Sequence, residues 1–183
     1  MRWRLATGNA HKVGEVTAIL GAGYELVATD PDVEESGTTF EANALLKARA
    51  VCAQTGEPSL ADDSGIVVDA LDGAPGIHSA RWTDEGDWIP RLLRELRARP
   101  GATRTARFVA AAAAVWPDGR EIVVRGTVEG TIADAPRGEA GFGYDPIFIP
   151  DEGDGRTFAE MTAADKHDLS HRGRAFRALA AQL

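Results

Sequence analysis

The 183-residue chain reads as an α/β protein, a mixed sheet with flanking helices. Two observations predict this. Short β-branched or aromatic runs alternate with 3.6-period apolar patterns over the first half, the mark of sheet and helix in turn. A long meander with a hairpin turn follows in the second half. No internal repeat, low-complexity linker or composition break divides the chain, so residues 1–183 are expected to form a single domain.

Trp3-Arg4-Leu5-Ala6 is the first strand and runs into Thr7-Gly8-Asn9. Val13, Val16, Ile19 and Leu20 recur at helical spacing until Gly21 and Gly23 stop the helix. Tyr24 to Ala28 is a second strand. Thr38 and Glu41 have capping-box spacing before the helix formers Ala42 to Ala48. Pro58 to Ala61 and Ile66 to Ala70 are expected as strands on either side of an acidic turn, Asp62-Asp63-Ser64-Gly65, because Asp is a poor strand former and costly to bury. Asp72 to Gly76 is a loop, and Trp88, Leu92, Leu93 and Leu96 mark an amphipathic helix closed by Pro100-Gly101. Thr105 to Trp116 and Glu121 to Val128 form a hairpin about Pro117-Asp118-Gly119-Arg120. Propensity alone would make Ala110 to Ala114 helical. Phe108, Val109, Val115 and Trp116 around them, and the turn that follows, favour strand. Gly138 to Gly143 is a glycine-rich loop, Pro146 to Pro150 a short strand, and the chain is helical from Thr162, with a break near Ser170 to Gly173.

Composition narrows the function. A net charge of -8 and a pI near 5.0 argue against nucleic acid or an anionic membrane as partner. Cys52 is the one cysteine, so no intramolecular disulfide can form, which fits a reducing compartment. The N-terminal Met1-Arg2-Trp3-Arg4-Leu5 opens on no apolar stretch long enough for a signal peptide, and the longest apolar run, Phe108 to Trp116, is too short to span a bilayer. A cytoplasmic location is expected.

Four segments carry chemistry that a fold does not require. Thr7-Gly8-Asn9, with Lys12 a turn later, joins a strand to a helix start, where unpaired N–H groups and a lysine suit a phosphate. Glu34-Glu35-Ser36-Gly37 offers hard oxygen ligands for Mg²⁺ beside a glycine. Asn43 and Lys47 follow at i, i+4 on one helix face, a composition that is ordinarily solvated. Asp62-Asp63 is either a turn device or a metal and water site. In Gly141-Phe142-Gly143-Tyr144-Asp145-Pro146 an aromatic in a glycine loop can stack a planar base or belong to the core, and Lys166, His171 and Arg172 add donors. Phosphate, divalent cation and base edge are the parts of a nucleoside triphosphate. Turnover and mere nucleotide sensing both remain open on residues alone.

The motifs resemble a known family. Thr7-Gly8-Asn9-x-x-Lys12-x-x-Glu15, Glu35-x-Gly37-x-Thr39-Phe40, Asn43-Ala44-x-x-Lys47-Ala48, Ala61-Asp62-Asp63-Ser64-Gly65, Gly73-x-Pro75-Gly76, Gly141 to Pro146 and Ser170-His171-Arg172-Gly173 are similar, in order, to the inosine triphosphate pyrophosphatase family. The resemblance implies a long twisted mixed sheet in two lobes around a central cleft, and a homodimer. It implies Mg²⁺-dependent hydrolysis of deaminated purine nucleoside triphosphates to the monophosphate and pyrophosphate. It implies Asp63 as proton acceptor, with Asp62 the alternative, and Glu35 with Asp63 as metal ligands. Thr7, Gly8, Asn9, Lys12, Lys47, Ser64, Phe142, Gly143, Tyr144, Asp145, Lys166, His171 and Arg172 become the substrate-binding set. Many members carry Glu immediately before the helix Asn, where this chain has Ala42, so Glu41 is left with a capping role.

Overall fold

The computed structural model describes residues 2–83 and 86–183. Among them run β1 (Arg2–Ala6), α1 (Ala10–Leu20), β2 (Glu25–Thr29), α2 (Phe40–Thr55), β3 (Ser59–Val68), α3 (Trp88–Arg97), β4 (Thr105–Val115), β5 (Glu121–Ile132), β6 (Phe148–Pro150), α4 (Ala163–Leu169) and α5 (His171–Ala180). The strands form a mixed six-stranded sheet in the order β2-β1-β3-β4-β5-β6. β1 is parallel to β2 and to β3, while β5 and β6 are antiparallel. The expected α/β class is therefore the observed one. No helix among the described residues is long and apolar enough to cross a membrane.

Two compact units divide the chain. The first comprises Met1–Asp63, Ala110–Gly126 and His171–Leu183; the second comprises Ser64–Val109 and Thr127–Ser170. In the first, Trp3, Leu5, Val16, Leu60, Phe176 and Leu179 gather with Ala110, Ala112 and Ala114 in one core. The alanine run is strand, and its alternating sets are both at 0% exposure, so β4 is covered on both faces there. Side chains this small let flanking helices approach the sheet closely. In the second, Phe108, Phe148 and Phe158 pack ring on ring, with centroids 4.8 to 5.9 Å apart, among Ile66, Val68, Leu92 and Leu96.

Three local expectations need correction. The acidic segment is no turn: β3 runs unbroken from Ser59 to Val68, with Asp62 and Asp63 both buried. Gly65 is required by close packing rather than by a bend, since a Cβ there would stand 2.2 Å from the Gly76 carbonyl oxygen. The cap of α2 is Thr39, whose hydroxyl accepts from the Ala42 N–H at 3.1 Å. That places Ala42 at the third helical position, so no capping box forms, and Glu41 pairs instead with Arg125 of β5 at 2.6 Å. Finally, Asp145–Ile147 is a 3₁₀ turn and only Phe148–Pro150 is strand, because Pro146 lacks the N–H a strand ladder needs.

Candidate active site

Strand parity distributes the two aspartates. Successive side chains of an extended strand point to opposite faces. Leu60 packs in the core with Val16 of α1 and Phe176 of α5, so Asp62, two residues on, faces the same helices. Asp63 faces the other way, toward α2.

On the first face, Lys12 of α1 and Arg172 of α5 each approach the Asp62 carboxylate to 3.1 Å. Arg172 is 2% exposed and also pairs with Glu15, one turn after Lys12 on α1. Close packing brings it there: a Cβ on Gly126 of β5 would stand 2.2 Å from the His171 carbonyl oxygen and 2.5 Å from the Ala175 nitrogen. Burial would raise the Asp62 carboxyl, but Lys12, Arg172 and Lys47 overcome it and hold the group well below the usual carboxylate range. Burial pulls Lys12 down against the attraction of Asp62.

On the second face, the Lys47 ammonium donates to Glu35 Oε1 at 2.7 Å and to Asp63 Oδ1 at 3.2 Å. Asn43, one turn earlier on α2, donates to Asp63 Oδ2 at 3.2 Å. Both α2 residues are buried, so the face that composition would leave solvated is turned onto β3. Burial raises the Asp63 carboxyl; Lys47 opposes this without cancelling it, and Glu35 adds to the rise. Lys47 is itself held above its ordinary value, since Asp63, Asp62 and Glu35 outweigh the burial that would lower it. Glu34 is exposed.

These residues fit a hard divalent cation. Glu15, Glu35, Asp62 and Asp63 outnumber Lys12, Lys47 and Arg172 by one charge. Among the described residues in this cluster, the surplus lies where Glu35 and Asp63 share the Lys47 ammonium. No group of three or more His, Cys, Asp or Glu able to hold a metal occurs among the described residues. Mg²⁺ does not require one, because it is commonly held by one or two carboxylates plus substrate phosphates and water.

Thr7, Gly8 and Asn9 form the entry to α1. Asn9 caps the helix by accepting from the His11 N–H at 2.9 Å, and Thr7 Oγ1 accepts from the Asn9 N–H at 3.1 Å. These two bonds shape the turn that leads into Lys12.

His171 is buried beside Arg172 at the start of α5 in the first unit, while Ser64, Phe142, Gly143, Tyr144, Asp145 and Lys166 lie in the second. Asp145 is buried and accepts from the Phe142 N–H at 2.8 Å and from Lys166 Nζ at 2.7 Å. Lys166 lies 5.1 Å from the centre of the half-buried Phe142 ring. Gly141 has φ +74° and a Cβ there would meet Asp145 Oδ2 at 2.1 Å, so the loop can close on this carboxylate only with glycine. Tyr144 points inward: its hydroxyl donates to the Ser79 carbonyl at 3.0 Å and its ring contacts Trp88. It belongs to the core, and burial raises its hydroxyl. Gly143, between Phe142 and Tyr144, and Ser64, which follows Asp63 on β3, are both half-buried.

Glu15 and Asn43 are parts of the ionic cluster that were not among the expected site residues. Spacing offered a signal for both. Glu15 stands three residues after Lys12 and Asn43 four before Lys47, so each shares a helix face with a predicted ligand.

Comparison with known proteins agrees with the motif resemblance. Residues 3–182 match the Ham1 family. A dITP/XTP pyrophosphatase of Symbiobacterium thermophilum is 55% identical over 177 residues, spanning 93% of this chain and 89% of that one. One from Streptomyces coelicolor is 51% identical over 187 residues, spanning 96% and 93%. Among solved structures, a HAM1 protein from Coxiella burnetii superposes with a TM-score of 0.89 at 36% identity, covering 100% of this chain and 98% of that one. A nucleoside-triphosphatase / dITP/XTP pyrophosphatase from Mycobacterium abscessus gives 0.76 at 45% identity, covering 100% and 99%. With a match running almost end to end and relatives sharing half their residues with it, this chain belongs to the Ham1 family.

Proposed function

We propose that the chain is a Mg²⁺-dependent pyrophosphatase that converts deaminated purine nucleoside triphosphates, ITP, dITP and XTP, to the monophosphate and pyrophosphate, clearing them from the nucleotide pool. The observation that carries this reading is Asp63: a buried carboxylate bonded to Asn43 and Lys47, sharing the lysine with Glu35. The relatives named dITP/XTP pyrophosphatase support the substrate class.

In this reading Glu35 and Asp63 hold Mg²⁺. When bound, the ion neutralises phosphate charge and lowers the pKa of a coordinated water. Asp63 orients the attacking water and takes its proton as the new bond to the α-phosphorus forms. The bond from that phosphorus to the bridging oxygen breaks, and pyrophosphate carries away the electron pair. Asp62, committed to Lys12 and Arg172, is the poorer base. Lys47, Lys12 and the Thr7 to Asn9 turn take the triphosphate, so the protein acts mainly by positioning and charge neutralisation.

Phe142 stacks the purine, with Lys166 held against it by Asp145; Ser64 and Gly143 belong to the same substrate set, and Tyr144 supports it from the core. His171 and Arg172 read the oxygen that hypoxanthine and xanthine carry at C6. Adenine presents an NH₂ there, and each donor facing it loses its partner at about 1–3 kcal/mol, so two give roughly 10²–10⁴-fold discrimination. Homodimerisation and a cytoplasmic setting belong to this proposal, and analytical ultracentrifugation tests the first.

The deciding experiment is a panel of ITP, XTP, GTP and ATP with Mg²⁺ and with EDTA, reading pyrophosphate and orthophosphate separately. Pyrophosphate from ITP and XTP, abolished by EDTA, is expected. Orthophosphate as first product would place attack at the γ-phosphorus and overturn the reading. Arg172→Ala is expected to narrow the ITP/ATP ratio of kcat/KM. That ratio cancels the concentration of folded enzyme, so it reports selectivity even if the variant is less stable.

A further inference from the structure

We propose that Asn43 is a positioning residue that ties the Glu35 loop to Asp63 and sets the geometry of the two carboxylates for the divalent cation. It deepens the pyrophosphatase reading and rests on it for its activity measurement. Asn is a poor helix-interior residue, and a buried amide is costly unless its hydrogen bonds are made. Asn43 lies in the second turn of α2 at 0% exposure. Its cost is met by two bonds in opposite directions. Oδ1 accepts from the Gly37 N–H at 2.8 Å, and Nδ2 donates to Asp63 Oδ2 at 3.2 Å.

Those partners fix which way the amide faces. Reversed, it would set N–H against N–H at Gly37 and oxygen against a carboxylate at Asp63. Gly37 follows Glu35 by two residues, and a Cβ on it would stand 2.5 Å from Asn43 Oδ1. Glycine is what lets the loop dock on the amide. Lys47, one helical turn on, makes the parallel link with charge, from Glu35 Oε1 to Asp63 Oδ1. Each Asp63 oxygen is thus held by a different α2 side chain. Asn43 supplies the neutral link, with Asp63 at one end and the Gly37 backbone at the other.

Hydrogen-bond partners of metal-ligating carboxylates typically contribute 10–100-fold to metal affinity or activity. Asn43→Ala is therefore expected to raise the Mg²⁺ concentration for half-maximal pyrophosphate release about 10–100-fold. KM for ITP at saturating Mg²⁺ should change far less. Mn²⁺ binding to the protein alone, read by electron paramagnetic resonance, should weaken in the same direction. Gly37→Ala keeps the amide but pushes the loop off it, and should shift both measurements likewise. If Asn43→Ala does not melt cooperatively, Gly37→Ala decides. A cooperatively folding variant with unchanged Mg²⁺ requirement and unchanged Mn²⁺ binding overturns the proposal, as does a wild-type protein that binds no Mn²⁺. Wild-type protein that binds Mn²⁺ yet releases no pyrophosphate overturns the pyrophosphatase reading instead, and the Mn²⁺ comparison then decides the role of Asn43.

Discussion

Asp62 and Asp63 are chain neighbours, yet the two faces of β3 set them in opposite electrostatic company. Asp62 meets two cations, Lys12 and Arg172, and the arginine is clamped again by Glu15. Asp63 pairs, among the described residues, with Lys47, which also pairs with Glu35. The first carboxyl is held below its ordinary range and the second above it, although burial pushes both upward. The difference teaches how a buried ion network divides its labour. A saturated carboxylate joins elements, here α1 and α5 to the sheet. An undersupplied one keeps the capacity to take a further cation or a proton.

The sharpest break in this comparison comes from neutralising each carboxylate in turn. Asp63→Asn is expected to lower kcat for pyrophosphate release about 10²–10⁴-fold, the usual contribution of a positioned base, with a cooperative melt retained. Near-normal kcat would remove Asp63 from the chemistry. Asp62→Asn should act mainly on stability. It strands Lys12 and Arg172 without their shared anion, and losing one partner of a buried network costs about 3–5 kcal/mol. Chemical denaturation measures this, with kcat per folded molecule falling far less than in Asp63→Asn. The reverse pattern, a stable but inactive Asp62→Asn, would exchange the two roles.

Why sequence could place the helices and most strands but misplace this segment follows from range. Val13, Val16, Ile19 and Leu20 announce α1 within a single window, and the flanks of Ala110 to Ala114 overrule their helix propensity within another. The strand aversion of Asp is likewise a local preference. It is overridden by Lys12, Asn43, Lys47 and, from the far end of the chain, Arg172, none of which a window around residue 62 contains. The parity of Leu60, Asp62 and Ser64 against Ala61, Asp63 and Gly65 is that of one continuous strand. Residue types marked Lys12, Glu35, Asp63 and Phe142 as chemistry. They did not show that Tyr144 turns into the core, because an aromatic in a glycine loop has the same composition whichever way it faces.

The shared lysine sharpens the comparison further. Lys47→Met removes the ammonium that lies between Glu35 and Asp63, so without Mg²⁺ the variant should melt below the wild type. Adding Mg²⁺ should then recover stability, by about 2.7 kcal/mol at a hundredfold excess over its Kd. Calorimetric melts with and without EDTA follow both steps. A Lys47→Met protein insensitive to Mg²⁺ would show that Glu35 and Asp63 do not form a cation site.

The smallest effect belongs to an ion pair outside this buried network. Glu41 and Arg125 form a two-bond pair at 2.6 and 3.1 Å, shorter at its nearest approach than the links around Asp62. Their side chains are nevertheless 29% and 52% exposed, so water and salt already solvate both charges. Glu41→Gln is expected to change stability by under about 1 kcal/mol, with the difference shrinking as ionic strength rises. A loss as large as that of Asp62→Asn would mean that hydrogen-bond geometry outweighs burial in this protein. The contrast drawn between the two faces of β3 would then have to be rebuilt on distance, because the separation of charges from water would no longer set how strongly each pair holds.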